Sequence, residues 1–145
     1  MNNIAIWYEK SIEKEIVEKL EEELKKNNFK IMSYSSDEEA LRKLNDFDRI
    51  DDTIVILNAE EGLTPWVIEK IYRLHKNGIY PIIAFANCKS EEIGELYKKS
   101  LRDNLSSKDV SVIDWKTFFI GKDGVSDNPK FDSKDIKPLL RYLYQ

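Results

Sequence analysis

Residues able to do chemistry fall in three short polar stretches, each directly after an apolar run. They are Tyr8 to Ser11 (YEKS), Asn58 to Thr64 (NAEEGLT) and Ala86 to Cys88 (ANC), with Lys116 following a further run. Glu9, Glu60 and Glu61 supply the oxygen ligands a divalent cation takes. The alternative for all three is the ordinary state of loop glutamates, solvated and unliganded, and no metal site is assigned. Neither GxGxxG nor GxxxxGK[ST] occurs, so the usual backbone cradles for phosphate are missing. His75 is the only histidine, which argues against a zinc centre or a Ser-His-Asp triad. Its place in a helical pattern suggests a packed or partly exposed ring. Cys88 would need an activating base or cation to act as a nucleophile, and reads as a buried thiol.

The elements that must position these residues are written in the apolar runs. Thr53 to Leu57 and Tyr80 to Phe85 have the composition of strands covered on both faces. Between them Thr64 offers an N-cap oxygen, Pro65 suits the first helical position, and Gly78 can close the helix in the left-handed conformation. A crossover of this length makes the two strands parallel and the connection right-handed. Ile4 to Tyr8 is an earlier strand of the same kind, with Glu9 to Ser11 a turn and cap. Ile16, Val17, Leu20 and Leu24 then recur at helical spacing, and Asn27-Asn28 supplies a stop ahead of a second strand, Phe29 to Tyr34. Ser36 and Glu39 have capping-box spacing before Ala40, Leu41 and Leu44, which predicts a short helix.

Ser90 caps a helix carrying Ile93, Leu96, Tyr97 and Leu101 on one side, with Asn104 to Lys108 as a polar loop and Val110 to Trp115 as the fifth strand. Phe118 to Ile120 followed by GKDG suggests an extra β-ribbon. Pro138 places the start of a last helix near Lys137, with Leu139, Leu140 and Leu143 covering the sheet edge. Repeated β-α order predicts an α/β fold, a three-layer α/β/α sandwich whose five-stranded, mainly parallel sheet has the order 2-1-3-4-5, with a C-terminal extension. In such sheets ligands bind beyond the carboxyl ends of the strands where strand order reverses, a location that gathers Tyr8, Glu9 and Asn58.

The 145 residues suit one domain over positions 1–145, and 41% hydrophobic with 34% charged residues is a globular balance. A net charge of -4 opposes general attraction to nucleic acid or anionic membranes. The three Trp and seven Tyr are not interleaved with a basic run, so stacking on single strands lacks its electrostatic half. No apolar run approaches the roughly 18 residues of a membrane span. The one cysteine excludes an internal disulfide, and no basic region leads into an apolar run at the N-terminus, so a cytoplasmic location is expected.

Two families share features with this chain. Phosphorylatable receivers have this strand order and use an acidic pair after the first strand, an Asp ending the third, a hydroxyl residue after the fourth and a Lys after the fifth. Glu9 and Lys116 match, but Asn58 stands in place of the Asp and Ala86-Asn87 in place of the hydroxyl. An amide cannot form an acyl phosphate, so a receiver-like chain of this sequence would dock without phosphotransfer.

The segments IAIWYEKSIEKEIVEKLEEEL and DDTIVILNAEEGLTPWVIEKI resemble the first strand and helix, and the third strand, Trp and helix Glu, of TIR domains. The resemblance spans about Ile4 to Phe85 and implies a flavodoxin-like signalling or defence domain that self-associates or docks a partner protein, with NAD-type nucleotides as substrate and no resident cofactor. It implies Glu69 as the catalytic carboxylate, a role that suits the oxocarbenium character built as a glycosidic bond breaks. Trp7, Tyr8 and Trp66 would then stack on the ligand's rings beside Glu9 and Asn58; packing against the sheet edge is the other reading of Trp66. Glu69 follows Trp66 by three residues where the family pattern has four, leaving Lys70 at the matching position. A nucleoside deoxyribosyltransferase-like protein, which also places a Glu on a helix after a strand, is a further alternative.

Overall fold

A computed structural model describes residues 2–36, 49–111, 116–120 and 137–144. In chain order these form β1 (Asn3–Tyr8), α1 (Lys14–Lys26), β2 (Lys30–Ser35), β3 (Asp52–Asn58), α2 (Pro65–Lys76), β4 (Ile82–Ala86), α3 (Glu91–Ser106), β5 (Thr117–Ile120) and α4 (Lys137–Leu143). The strands make one sheet in the order β2-β1-β3-β4-β5, with every neighbouring pair parallel. Alternation along the strands divides the core in two. Ala5, Trp7, Val55, Leu57, Ile83 and Phe85 pack under α2 and α3. Ile4, Ile6, Ile54, Ile56, Ile82 and Ala84 pack under α1 and α4. The result is the expected three-layer sandwich.

Three helices end by the same device. A residue with positive φ follows the helix, and the next N–H reaches back to a leucine carbonyl in the last turn. Asn28 (φ 66°) precedes Phe29, whose N–H bonds to Leu24 at 3.1 Å. Gly78 (φ 76°) precedes Ile79, bonded to Leu74 at 2.9 Å, and Asp109 (φ 61°) precedes Val110, bonded to Leu105 at 3.0 Å. Each motif satisfies an orphan carbonyl and folds an apolar residue back beside the leucine. At the other ends, Ile93 N–H donates to the Ser90 hydroxyl at 3.2 Å, the expected cap of α3. Pro65 sits in the first turn of α2, yet Thr64 makes no side-chain cap bond. Ser11 does not cap α1, because its hydroxyl accepts from Asn58 instead.

The fifth strand differs from expectation. Helix α3 runs on to Ser106, and its closing motif uses Val110 as a core residue outside any strand. Residues 112–115 lie outside the described residues. The strand that pairs with β4 is Thr117–Ile120, expected as part of a ribbon. Lys116 therefore precedes β5, and its carbonyl accepts from Ile83 N–H at 3.0 Å, at the amino end of the sheet and far from Asn58. The expected helix after Ser36 and the GKDG turn lie outside the described residues. Helix α4 begins at Lys137 as expected and rests on the α1 face, where Tyr142 meets Phe118 at 5.8 Å and the Tyr144 hydroxyl bonds to Asn27. Among the described residues no helix is long and apolar enough to cross a membrane.

Helix α3 sits close to β5 because Gly94 has no side chain. A Cβ there would lie 2.9 Å from the Phe119 ring and 3.2 Å from Cys88 Sγ. Overpacking at such a contact outweighs the helix propensity a larger residue gains, so Gly94→Val is expected to destabilise the protein by about 2 kcal/mol. Chemical denaturation checks this; an unchanged midpoint would mean that α3 is not seated on Phe119.

Candidate functional site

Strands β1, β3 and β4 end at one rim of the sheet, and the residues just past them are bonded to each other. Glu9 extends the β1 ladder through its N–H to the Ile56 carbonyl at 3.1 Å. Its carboxyl then turns inward and accepts the Asn58 backbone N–H at 2.8 Å. The Asn58 side chain, at the end of β3, donates to Ser11 Oγ at 3.1 Å and accepts from Glu60 N–H at 3.1 Å and Asn87 Nδ2 at 3.2 Å. Asn87 holds φ 60°, which aims its amide across the rim. One amide thus ties the loops after three strands.

Burial sets the electrostatics. Glu9 and Asn58 are 5% and 4% exposed. Desolvation pushes the Glu9 carboxyl above its usual range; the Asn58 N–H opposes the shift and the Glu61 charge adds to it. Burial also raises the Tyr97 phenol strongly, with Glu9 and Glu61 reinforcing the effect, so this hydroxyl stays protonated. Among the described residues no group of three or more His, Cys, Asp or Glu is placed to hold a metal ion. Glu60 instead pairs with Lys89 at 3.5 Å. A phosphoryl-accepting arrangement is not assembled either, since Asn58 occupies the acceptor position and Lys116 lies at the opposite end of the sheet.

The sequence-predicted residues divide among four places. Tyr8, Glu9 and Asn58 come together at the rim, with half-buried Tyr8 packed toward the α1 face. Trp7 is in the core beneath α2, where Lys70 Nζ lies 6.0 Å from its ring, so it presents no open face to a ligand ring. Trp66 is 75% exposed, packs against no sheet edge, and stands on the outer side of α2. Glu69 is not at the rim. It lines a groove of about 390 Å³ between α2 and α3, together with Thr64, Ser100, Asn104 and Lys108. There Arg73 Nε donates to its Oε1 at 2.8 Å. Lys70, at the position matching the TIR-type Glu, is half-buried over the Tyr34 and Trp7 rings, and desolvation and Arg73 depress its basicity.

The groove continues upward into a second hollow of about 330 Å³ lined by Glu60, Glu61, Leu96 and Tyr97; both halves share Leu63 and Ser100. Sequence reading missed this trough. It grouped Ile93, Leu96, Tyr97 and Leu101 on one apolar face, but Tyr97, Leu101 and Leu105 are buried while Ile93 and Leu96 are 42% and 62% exposed. The signal was there in the three- and four-residue spacing of Gly94, Tyr97, Leu101 and Leu105, which leaves Leu96 off the core stripe.

No protein-family model matches the chain, and no curated protein matches it.

The raised Glu9 carboxyl predicts a pH-dependent difference between the protein and Glu9→Gln, which keeps the acceptor for Asn58 N–H. The folded state favours protonated Glu9, so its contribution is intact below about pH 4.5 and is lost as pH rises through the elevated folded value. Thermal midpoints should be close in acid, and the Gln variant should be the more stable near neutrality. A difference independent of pH would contradict the placement of Glu9.

Proposed function

We propose that this chain is a TIR-like signalling or defence domain that works by self-association through its α2–α3 face. One contrast supports the reading. The crevice where a doubly wound protein places its chemistry is occupied by a closed hydrogen-bond network around Asn58, whereas large apolar side chains stand in solvent on the α2–α3 face. Leu96 and Ile93 line the upper half of the groove, Trp66 stands exposed on the outer side of α2, and burying an exposed Trp is the kind of contact that dominates protein interfaces.

A nucleotide reading is favoured by one observation, that Glu69 lines the groove. It would act there on an NAD-type glycosidic bond, with Trp66 near enough in sequence to stack on a ring. Its Arg73 partner and the core position of Trp7 speak for docking instead.

Sedimentation over a wide concentration range tests the proposal. We expect reversible self-association, weakened about tenfold or more by Trp66→Ala with the thermal midpoint unchanged, because the ring contributes to no core. A protein that stays monomeric throughout would overturn it. Incubation with NAD discriminates the readings, since nicotinamide release abolished by Glu69→Gln would establish the catalytic one.

A further inference from the structure

The trough between α2 and α3 is self-complementary in charge. Its upper half carries Glu60 and Glu61, its lower half Asn104, Lys108 and a Glu69 already paired with Arg73, and the two halves meet at Leu63 and Ser100. Because Glu60 is paired with Lys89, Glu61 is the acidic group at the upper end without an ion pair among the described residues. Lys108 likewise has none, and its ammonium rests over the Tyr72 ring at 5.1 Å. The two ends are on the order of 20 Å apart along α3, so neither charge can reach the other within one chain.

Isologous pairing places each residue at one distance from the axis against the residue at the same distance on the other side. Resting on the self-association proposed above, we infer that two copies pack groove to groove about a two-fold axis near Ser100, setting Glu61 of each chain against Lys108 of the partner subunit. Leu96 and Ile93, exposed along the upper half of the trough, add apolar area beside the Glu61–Lys108 pairs.

Charge reversal tests the arrangement. Glu61→Lys and Lys108→Glu should each weaken self-association about a hundredfold, since both symmetry-related contacts become repulsive, and the double variant should recover to within about tenfold of the parent. Lys108→Gln, which removes charge without repulsion, should fall between. Both positions are exposed, and unchanged circular dichroism confirms folding. Association indifferent to either reversal, or a double variant no better than the singles, would overturn the two-fold packing while leaving self-association through another surface standing. A parent protein that never associates would overturn the underlying reading as well.

Discussion

A buried asparagine at the end of the central strand is the constraint on which the upper half of the molecule depends. Asn58 is reached by bonds from the loops after β1, β3 and β4, and its own backbone N–H is taken up by Glu9. Parallel strands leave their terminal groups unpaired at the rim, and a doubly wound sheet usually uses that rim to hold a ligand. Here the protein satisfies those groups itself. An Asp at position 58 would bring a second carboxylate against Glu9 in a site that already disfavours the charged form, whereas an amide can donate and accept at once. The same choice that stabilises the rim removes the oxyanion that phosphotransfer needs.

With the rim closed, exposed features on the α2–α3 side carry the functional argument. Gly94 lets α3 approach β5, which turns Tyr97, Leu101 and Leu105 into the core and leaves Ile93 and Leu96 outside. Thr64 and Pro65 start α2 just below the loop that holds Glu60 and Glu61, so the acidic end of the trough and the exposed Trp66 are fixed by one turn. The trough is thus a consequence of how two helices seat on the sheet.

Much of this was legible in the chain. Strands β1, β3 and β4 are buried on both faces and therefore read as unbroken apolar runs, and Pro65, Gly78 and Asn28 mark helix ends by steric rules that hold regardless of context. The fifth strand was not legible. Val110 to Trp115 and Phe118 to Ile120 are both apolar, and only the third helix-closing motif, with Asp109 in the left-handed position where Gly or Asn is usual, commits Val110 to ending α3. That motif in turn carries Lys116 to the wrong end of the sheet for chemistry. Trp7 and Trp66 show the same limit: identical side chains, one in the core and one 75% exposed, separated by facing and not by local pattern. Glu9 and Asn58 were found because topology alone brings strand ends together; the groove was missed because it depends on helix rotation.

Amide hydrogen exchange at low and high protein concentration tests the central claim most directly, because it reports the surface used without presupposing it. The account predicts new protection at high concentration along the exposed side of α3 and in the 59–63 loop, with β1, β3 and β4 unaffected. Protection that does not change with concentration, and that instead appears around Glu9, Asn58 and Asn87 on adding NAD, would contradict it.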